Sequence, residues 1–86
     1  MEIDAIRVLI RLKLRDGRLP LNGFLQVRVA AGKGEPCDAC EITISKLQLG
    51  IQGISLAAGG GRPLQLHGGC FQIWNAERRV LPSRSA

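Results

Sequence analysis

Residues 63–74 read "PLQLHGGCFQIW" and hold the chain's only histidine, His67, its third cysteine, Cys70, and its only tryptophan, Trp74. Leu64 and Leu66 alternate up to His67, whereas Cys70, Trp74, Glu77 and Leu81 recur at helical spacing, so a short strand here passes into a helix. Upstream, residues 35–40 read "EPCDAC" and place Cys37 and Cys40 at the same spacing of three as His67 and Cys70. Whether these two pairs act together decides what kind of domain the chain can form.

A tight turn brings Cys37 and Cys40 to one side and points its amides at their sulfurs. His67 and Cys70 converge in the same way from a strand end and the first turn of a helix, with Gly68 and Gly69 expected to let the chain turn close to the metal. Three thiolates and one imidazole make a closed tetrahedral set, the donor chemistry of a single structural zinc ion rather than of magnesium or calcium. Together the two pairs use every cysteine and the sole histidine. A redox dithiol at Cys37 and Cys40 is the rival reading, but it calls for C-x-x-C opening a helix in a βαβ unit. Pro36 and the β-like run after Cys40 point instead to a hairpin knuckle.

Length and composition make such a staple useful. At 86 residues the chain is one domain, 1–86, and a domain of this size buries only about 60% of its unfolded surface. Hydrophobic residues make up 45% of it, but only 3% is aromatic and 11 residues are glycine, so the core is aliphatic and the backbone costly to order. A structural zinc site contributes an apparent ~10–16 kcal/mol, as much as the whole stability of an ordinary domain. Three cysteines behind a charged start, "MEIDAIRVLIRLKLR", show neither a disulfide framework nor a signal-peptide pattern, and no apolar run approaches a membrane span. The expectation is a cytoplasmic protein.

Residues 1–20 form a basic N-terminal segment, 24–81 the zinc-binding core and 82–86 a flexible tail. Net charge is +5, with Arg7, Arg11, Lys13, Arg15 and Arg18 against Asp16 supplying most of it. As a helix, this segment puts Arg7, Arg11, Arg15 and Arg18 on one arc beside an Ile3, Ile6, Ile10 and Leu14 stripe, with Gly17 and Pro20 as the stop. As a strand, Ile6, Val8, Ile10, Leu12 and Leu14 alternate with the charges, though Pro20 would interrupt the returning strand of a tight hairpin. Residues 24–30 read as a strand. "EITISKLQLGIQGISLAA" reads as further strands through Ile42, Ile44, Leu47, Leu49, Ile51, Ile54 and Leu56, with a bulge or bend at Gly50 and Gly53. "AGGGRP" is a hairpin tip and "PLQLH" the returning strand. The fold class is thus a small α+β zinc-stabilised domain: a zinc knuckle, a β-hairpin and a C-terminal helix, preceded by an N-terminal helix or strand.

The order C-x-x-C then H-x-x-C, the second pair opening a helix, resembles the treble-clef zinc fold and the first zinc module of LIM domains. "LRDGRLP", "GKGEPCDAC" and "LHGGCFQIWNAER" are also similar to a group of small bacterial proteins of unknown function, over most of residues 9–79. That resemblance implies Cys37, Cys40, His67 and Cys70 as ligands, Phe71 and Trp74 as core, and a helical N-terminal segment. It implies no activity.

Other motifs carry less. "AAGKGEP" lacks the spacing and the hydroxyl of a phosphate loop. Phe24, Phe71 and Trp74 are too few to make a stacking platform for bases. Arg78 and Arg79 suit the C-terminal end of a helix dipole. No nucleophile is paired with a base, which points away from an enzyme. The expected role is a non-catalytic zinc module that acts as a protein-interaction or regulatory adaptor. The alternatives are a nucleic-acid-binding protein that uses Arg7, Arg11, Arg15 and Arg18 for phosphates, and a thiol redox protein. Self-association through exposed apolar faces is a further expectation.

Overall fold

A computed structural model describes residues 3–55 and 62–85, with the side chains of residues 81–85 outside that description. The N-terminal segment is helical: α1 spans Ile3–Asp16. The helix wins because it gathers the apolar residues that a strand would divide. Ile10 and Leu14 are buried and Ile6 packs against the same core, while Val8 and Leu12 stay about half exposed. Asp4 lies in the first turn and Lys13 and Arg15 in the last, matching the helix dipole. Gly17 then takes a left-handed φ of 81°, and the Leu19 amide donates to the Lys13 carbonyl at 3.1 Å to close the last turn.

Three antiparallel strands follow, β1 (Gln26–Ala31), β2 (Leu49–Ile54) and β3 (Leu64–His67), in the order β1-β2-β3. α2 (Gly68–Ser85) continues from β3 without a linker and contacts α1, β2 and β3. The described residues are therefore α+β, with two helices and one sheet. Of the expected hairpin tip, residues 58–61 fall outside the described residues. The expected tail at 82–86 coincides with the end of α2 up to Ser85; its side chains and Ala86 also lie outside the described residues.

Three local expectations are corrected. Ile42 and Ile44 are not in a ladder strand. Thr43 makes a single bridge to Pro36, and residues 45–48 form a turn, because the chain must close the knuckle before it can enter the sheet. Gly50 and Gly53 mark no bulge: both sit in regular register, Gly50 opposite Ala30 and His67, Gly53 opposite Val27 and Leu64. What Gly53 supplies is space. A Cβ there would lie 2.6 Å from the Phe24 ring. Gly68 and Gly69 are likewise no tight approach, since a Cβ on either meets nothing within 4 Å and neither has a positive φ. They are ordinary first residues of α2, which begins two residues before Cys70.

The core forms where α2 meets the other elements. Cys70, Trp74 and Glu77, spaced along one side of α2, are all buried, as are Leu19, Ile44, Leu64 and Leu66. Phe24, Phe71 and Trp74 make one aromatic cluster, with ring centroids 4.7 Å apart for Phe24–Trp74 and 5.2 Å for Phe71–Trp74. Such pairs add about 0.5–1.5 kcal/mol each beyond the area they bury. The Trp74 Nε1–H donates to the Pro20 carbonyl at 2.9 Å, so the indole's one polar atom is satisfied inside the core.

Because Phe24 is held by two other rings, it has little room to yield. Gly53→Ala is expected to destabilise the fold by about 1–3 kcal/mol, as overpacking does. Gly50→Ala should cost less, since its nearest neighbour, the Ile44 side chain, would be 3.5 Å away. Denaturant titration of the two variants side by side measures the difference.

Candidate metal centre

The knuckle begins where Pro36 bridges Thr43. Inside that bridge the Cys37 amide donates to the Ile42 carbonyl at 3.0 Å, and the Glu41 amide donates to the Cys37 carbonyl at 2.9 Å. Glu41 takes a φ of 71°, the only left-handed residue other than glycine among those described. A glutamate there is strained by roughly 1–2 kcal/mol, and its side chain is held: Lys13 Nζ lies 2.9 Å from Oε2. The same Nζ donates to the Asp38 carbonyl at 2.9 Å. Lys13 thus reaches from α1 and grips both sides of the knuckle, with its side chain only 5% exposed. The Lys13 ammonium also holds the Glu41 carboxyl below the usual carboxylate range. A lowered pKa means that this contact contributes above the ordinary carboxylate pKa and is lost as pH falls through the lowered one.

Asp38, between the two cysteines, joins the knuckle to β3. Its amide donates to the Gln65 carbonyl at 2.6 Å, and its Oδ2 accepts the Gln65 amide at 2.7 Å. Its Oδ1 meets Arg62 Nη2 at 3.0 Å. With Gln65 anchored against Asp38, His67 two residues on emerges beside Cys40, and the first turn of α2 carries Cys70 to the same place.

The result is a cluster in which the ligand atoms of Cys37, Cys40, His67 and Cys70 all lie within 4.8 Å of one another, close enough to hold a metal ion. His67 Nδ1 is 3.5 Å from Cys40 Sγ and 3.8 Å from Cys70 Sγ. A tetrahedral ion with metal–sulfur bonds of about 2.3 Å and metal–nitrogen bonds of about 2.0 Å separates its ligand atoms by roughly 3.5–3.8 Å, so the spacing fits. The three thiols are buried.

Gln48 decides which imidazole nitrogen faces the sulfurs. Its Oε1 accepts the Ser45 amide at 2.9 Å, so that atom is the oxygen. His67 Nε2, 3.2 Å from the same oxygen, must then be the protonated nitrogen, which leaves Nδ1 bare toward the cluster. Nothing in the sequence marks Gln48, 19 residues before His67, as a supporting residue. Asp38 and Lys13 were equally hidden, one inside the C-x-x-C spacer and the other inside a basic run.

The thiols do not ionise alike. Hydrogen bonding from Cys70, with help from backbone amides, lowers Cys37 to about 4. Burial raises Cys40. The hydrogen bond to Cys37, burial and two neighbouring sulfurs raise Cys70 far more. Without a cation the cluster carries one thiolate and two thiols. A bound dication would favour the thiolate form of all three. The cluster is also within reach of solvent, since Cys40, His67 and Cys70 border an open cleft of about 550 Å³ walled by Ile3, Ile6, Ile42 and Ile73.

The four arginines are not gathered in the same way. Arg7 and Arg11 turn to the buried Glu77 of α2, and Arg7 also reaches Asp4. Arg18 pairs with Asp16 at 2.8 Å. Among the described residues Arg15 has no ion pair. Arg78 lies over Trp74, 4.9 Å from the ring centroid. No helix among the described residues is long and apolar enough to cross a membrane.

Comparison of the chain with protein-family models, curated proteins and solved structures finds no match. The functional reading therefore stands on the cluster itself.

Gln48→Ala is expected to weaken metal binding about 10–100-fold, the usual cost of losing a group that orients a ligating histidine; competition with a chromophoric chelator measures it. The thiol shifts add a pH dependence. At neutral pH a metal ion displaces protons from Cys40 and Cys70 but not from Cys37, so affinity should rise with pH by about a hundredfold per unit. Isothermal titration in buffers of different ionisation enthalpy should show about two protons released per ion.

Proposed function

We propose that Cys37, Cys40, His67 and Cys70 hold one structural zinc ion, and that the chain is a non-catalytic treble-clef-type module acting as a protein-interaction or regulatory adaptor. The single observation that carries this is the convergence of three thiols and the bare Nδ1 of one imidazole within 4.8 Å. Soft sulfur donors and an imidazole favour zinc over harder cations, and four protein ligands leave no coordination position for a catalytic water. The order of parts supports the treble-clef reading: two ligands from a knuckle, then the β2–β3 hairpin, then one ligand at the end of β3 and one in the first turn of α2. When bound, the ion supplies cross-linking and neutralises thiolate charge. The protein supplies orientation, through Gln48 on His67 and through Asp38 and Lys13 on the knuckle.

The other two readings have less behind them. For a redox dithiol, Cys37 and Cys40 would sit at the start of a helix, whereas here they flank a knuckle with Cys70 and His67 against them. For a phosphate-binding face, the arginines of α1 would be free to meet a polyanion, yet Arg7, Arg11 and Arg18 already face carboxylates within the chain.

Native mass spectrometry with and without a chelator tests the zinc reading. One zinc per chain is expected, with loss of the folded circular dichroism spectrum on removal, because binding free energy is here folding free energy. A folded, metal-free protein with three free thiols would overturn it. A salt titration against duplex and single-stranded nucleic acid tests the adaptor reading: binding that weakens linearly on a log–log plot, with a slope lowered by Arg15→Glu, would favour the polyanion role instead.

A further inference from the structure

The two edges of the sheet are finished differently. Within β3, Leu64 and Leu66 face β2, so the backbone of Gln65 points outward, and it is met there: its carbonyl accepts the Asp38 amide and its amide donates to Asp38 Oδ2. That edge is closed by the knuckle. On the other side, the Gly32 amide bonds to the Gln48 carbonyl, which sets the even-numbered residues of β1 toward β2. The N–H and C=O groups of Val27, Val29 and Ala31 therefore point away from the sheet, and among the described residues nothing pairs with them. An open edge of this kind invites another strand.

The side chains along this edge show the same lack of cover. All six residues of β1 are exposed. By register Val27, Val29 and Ala31 share a sheet face with Leu49, Gly53, Leu64 and Leu66, the face on which α2 packs, but α2 covers only the β2 and β3 end of it. Val27 is 49%, Val29 60% and Leu49 64% exposed. The usual guards of an edge strand are few, for β1 has no proline and a single charge, Arg28, whose side chain lies on the opposite face.

We propose that β1 is a homodimerisation edge, pairing antiparallel with β1 of a second copy of the chain about a two-fold axis at Val29 to make a continuous six-stranded sheet. Centring the axis there lets the outward groups of Val27, Val29 and Ala31 meet Ala31, Val29 and Val27 of the second copy, with about six backbone hydrogen bonds. It sets Arg28 opposite Ala30 of the second copy, so the one charge on the strand never faces its own duplicate, which would repel it. It also brings the valines of the two copies side by side on the uncovered apolar face. Leu25, Val27, Val29 and Leu49 expose on the order of 400 Å², about half of the roughly 800 Å² per partner of a standard interface, so the dimer is a reversible rather than an obligate one. The pairing uses none of the four cluster residues and does not depend on which ion fills the cluster.

The test uses the full, metal-loaded chain. Sedimentation equilibrium should show a monomer–dimer equilibrium. Amide exchange followed by NMR should show Val27, Val29 and Ala31 becoming protected as concentration rises, while Arg28 and Ala30, already bonded to β2, stay protected throughout. Val29→Pro removes an N–H that the monomer does not use and should raise the dissociation constant more than about tenfold. In case proline disturbs the strand, Val29→Lys should act in the same direction with the fold unchanged. A monomer at all concentrations with fast exchange at Val27, Val29 and Ala31 would overturn the proposal, including the case in which the edge instead takes a strand from another protein. So would a dimer whose strength neither variant alters.

Discussion

Three separate pieces of chain meet at one point, and the rest of the domain is arranged to make that meeting hold. The knuckle brings Cys37 and Cys40, the end of β3 brings His67, and the first turn of α2 brings Cys70, so that four ligand atoms share a space fit for one ion. Three sulfurs this close repel one another once ionised. The thiol of Cys70 is pushed far up by its hydrogen bond to Cys37, by burial and by the neighbouring sulfurs, while Cys37 is the one that hydrogen bonding lowers. A dication turns the same crowding into a cross-link. In a chain with so small an aliphatic core, a link of this kind ties the helix that carries Trp74 to the turn that carries Ala39.

The scaffolding around that point is mostly polar. Asp38 uses its amide and both carboxylate oxygens to attach the knuckle to β3 and Arg62, and Lys13 locks the knuckle's far side from α1. Glu77 does the corresponding work between the helices, drawing Arg7 and Arg11 across to α2. The basic run of the N-terminal segment is thus spent largely inside the molecule. Long side chains allow this, because Lys and Arg can lay their stems along apolar surface and place the charge on a carbonyl or carboxylate several ångströms away.

The sheet shows a division of labour between its edges. The β3 edge is sealed by the element that also carries Cys37 and Cys40, whereas among the described residues nothing pairs with the outward groups of the β1 edge, at the other side of the sheet.

Much of this was legible in the residues themselves. The donor types and equal spacing of the two residue pairs, the change from period two to helical period after His67, and the Ile6, Ile10 and Leu14 part of the α1 stripe, though not its exposed first member Ile3, depend only on local order along the chain, and each has its counterpart in the structure. What the sequence could not show depends on residues far apart in it. Gln48 orients His67 from a turn 19 residues away, and Lys13 reaches Asp38 across 25. Gly53 is required not by a bend in its own strand but by the ring of Phe24. Ile42 and Ile44 alternate like a strand, yet closing the knuckle takes precedence. Local spacing picks out the four residues that converge because metal chemistry sets a short list of donors. Only the tertiary structure names their supports, because any polar group that reaches the right point can serve.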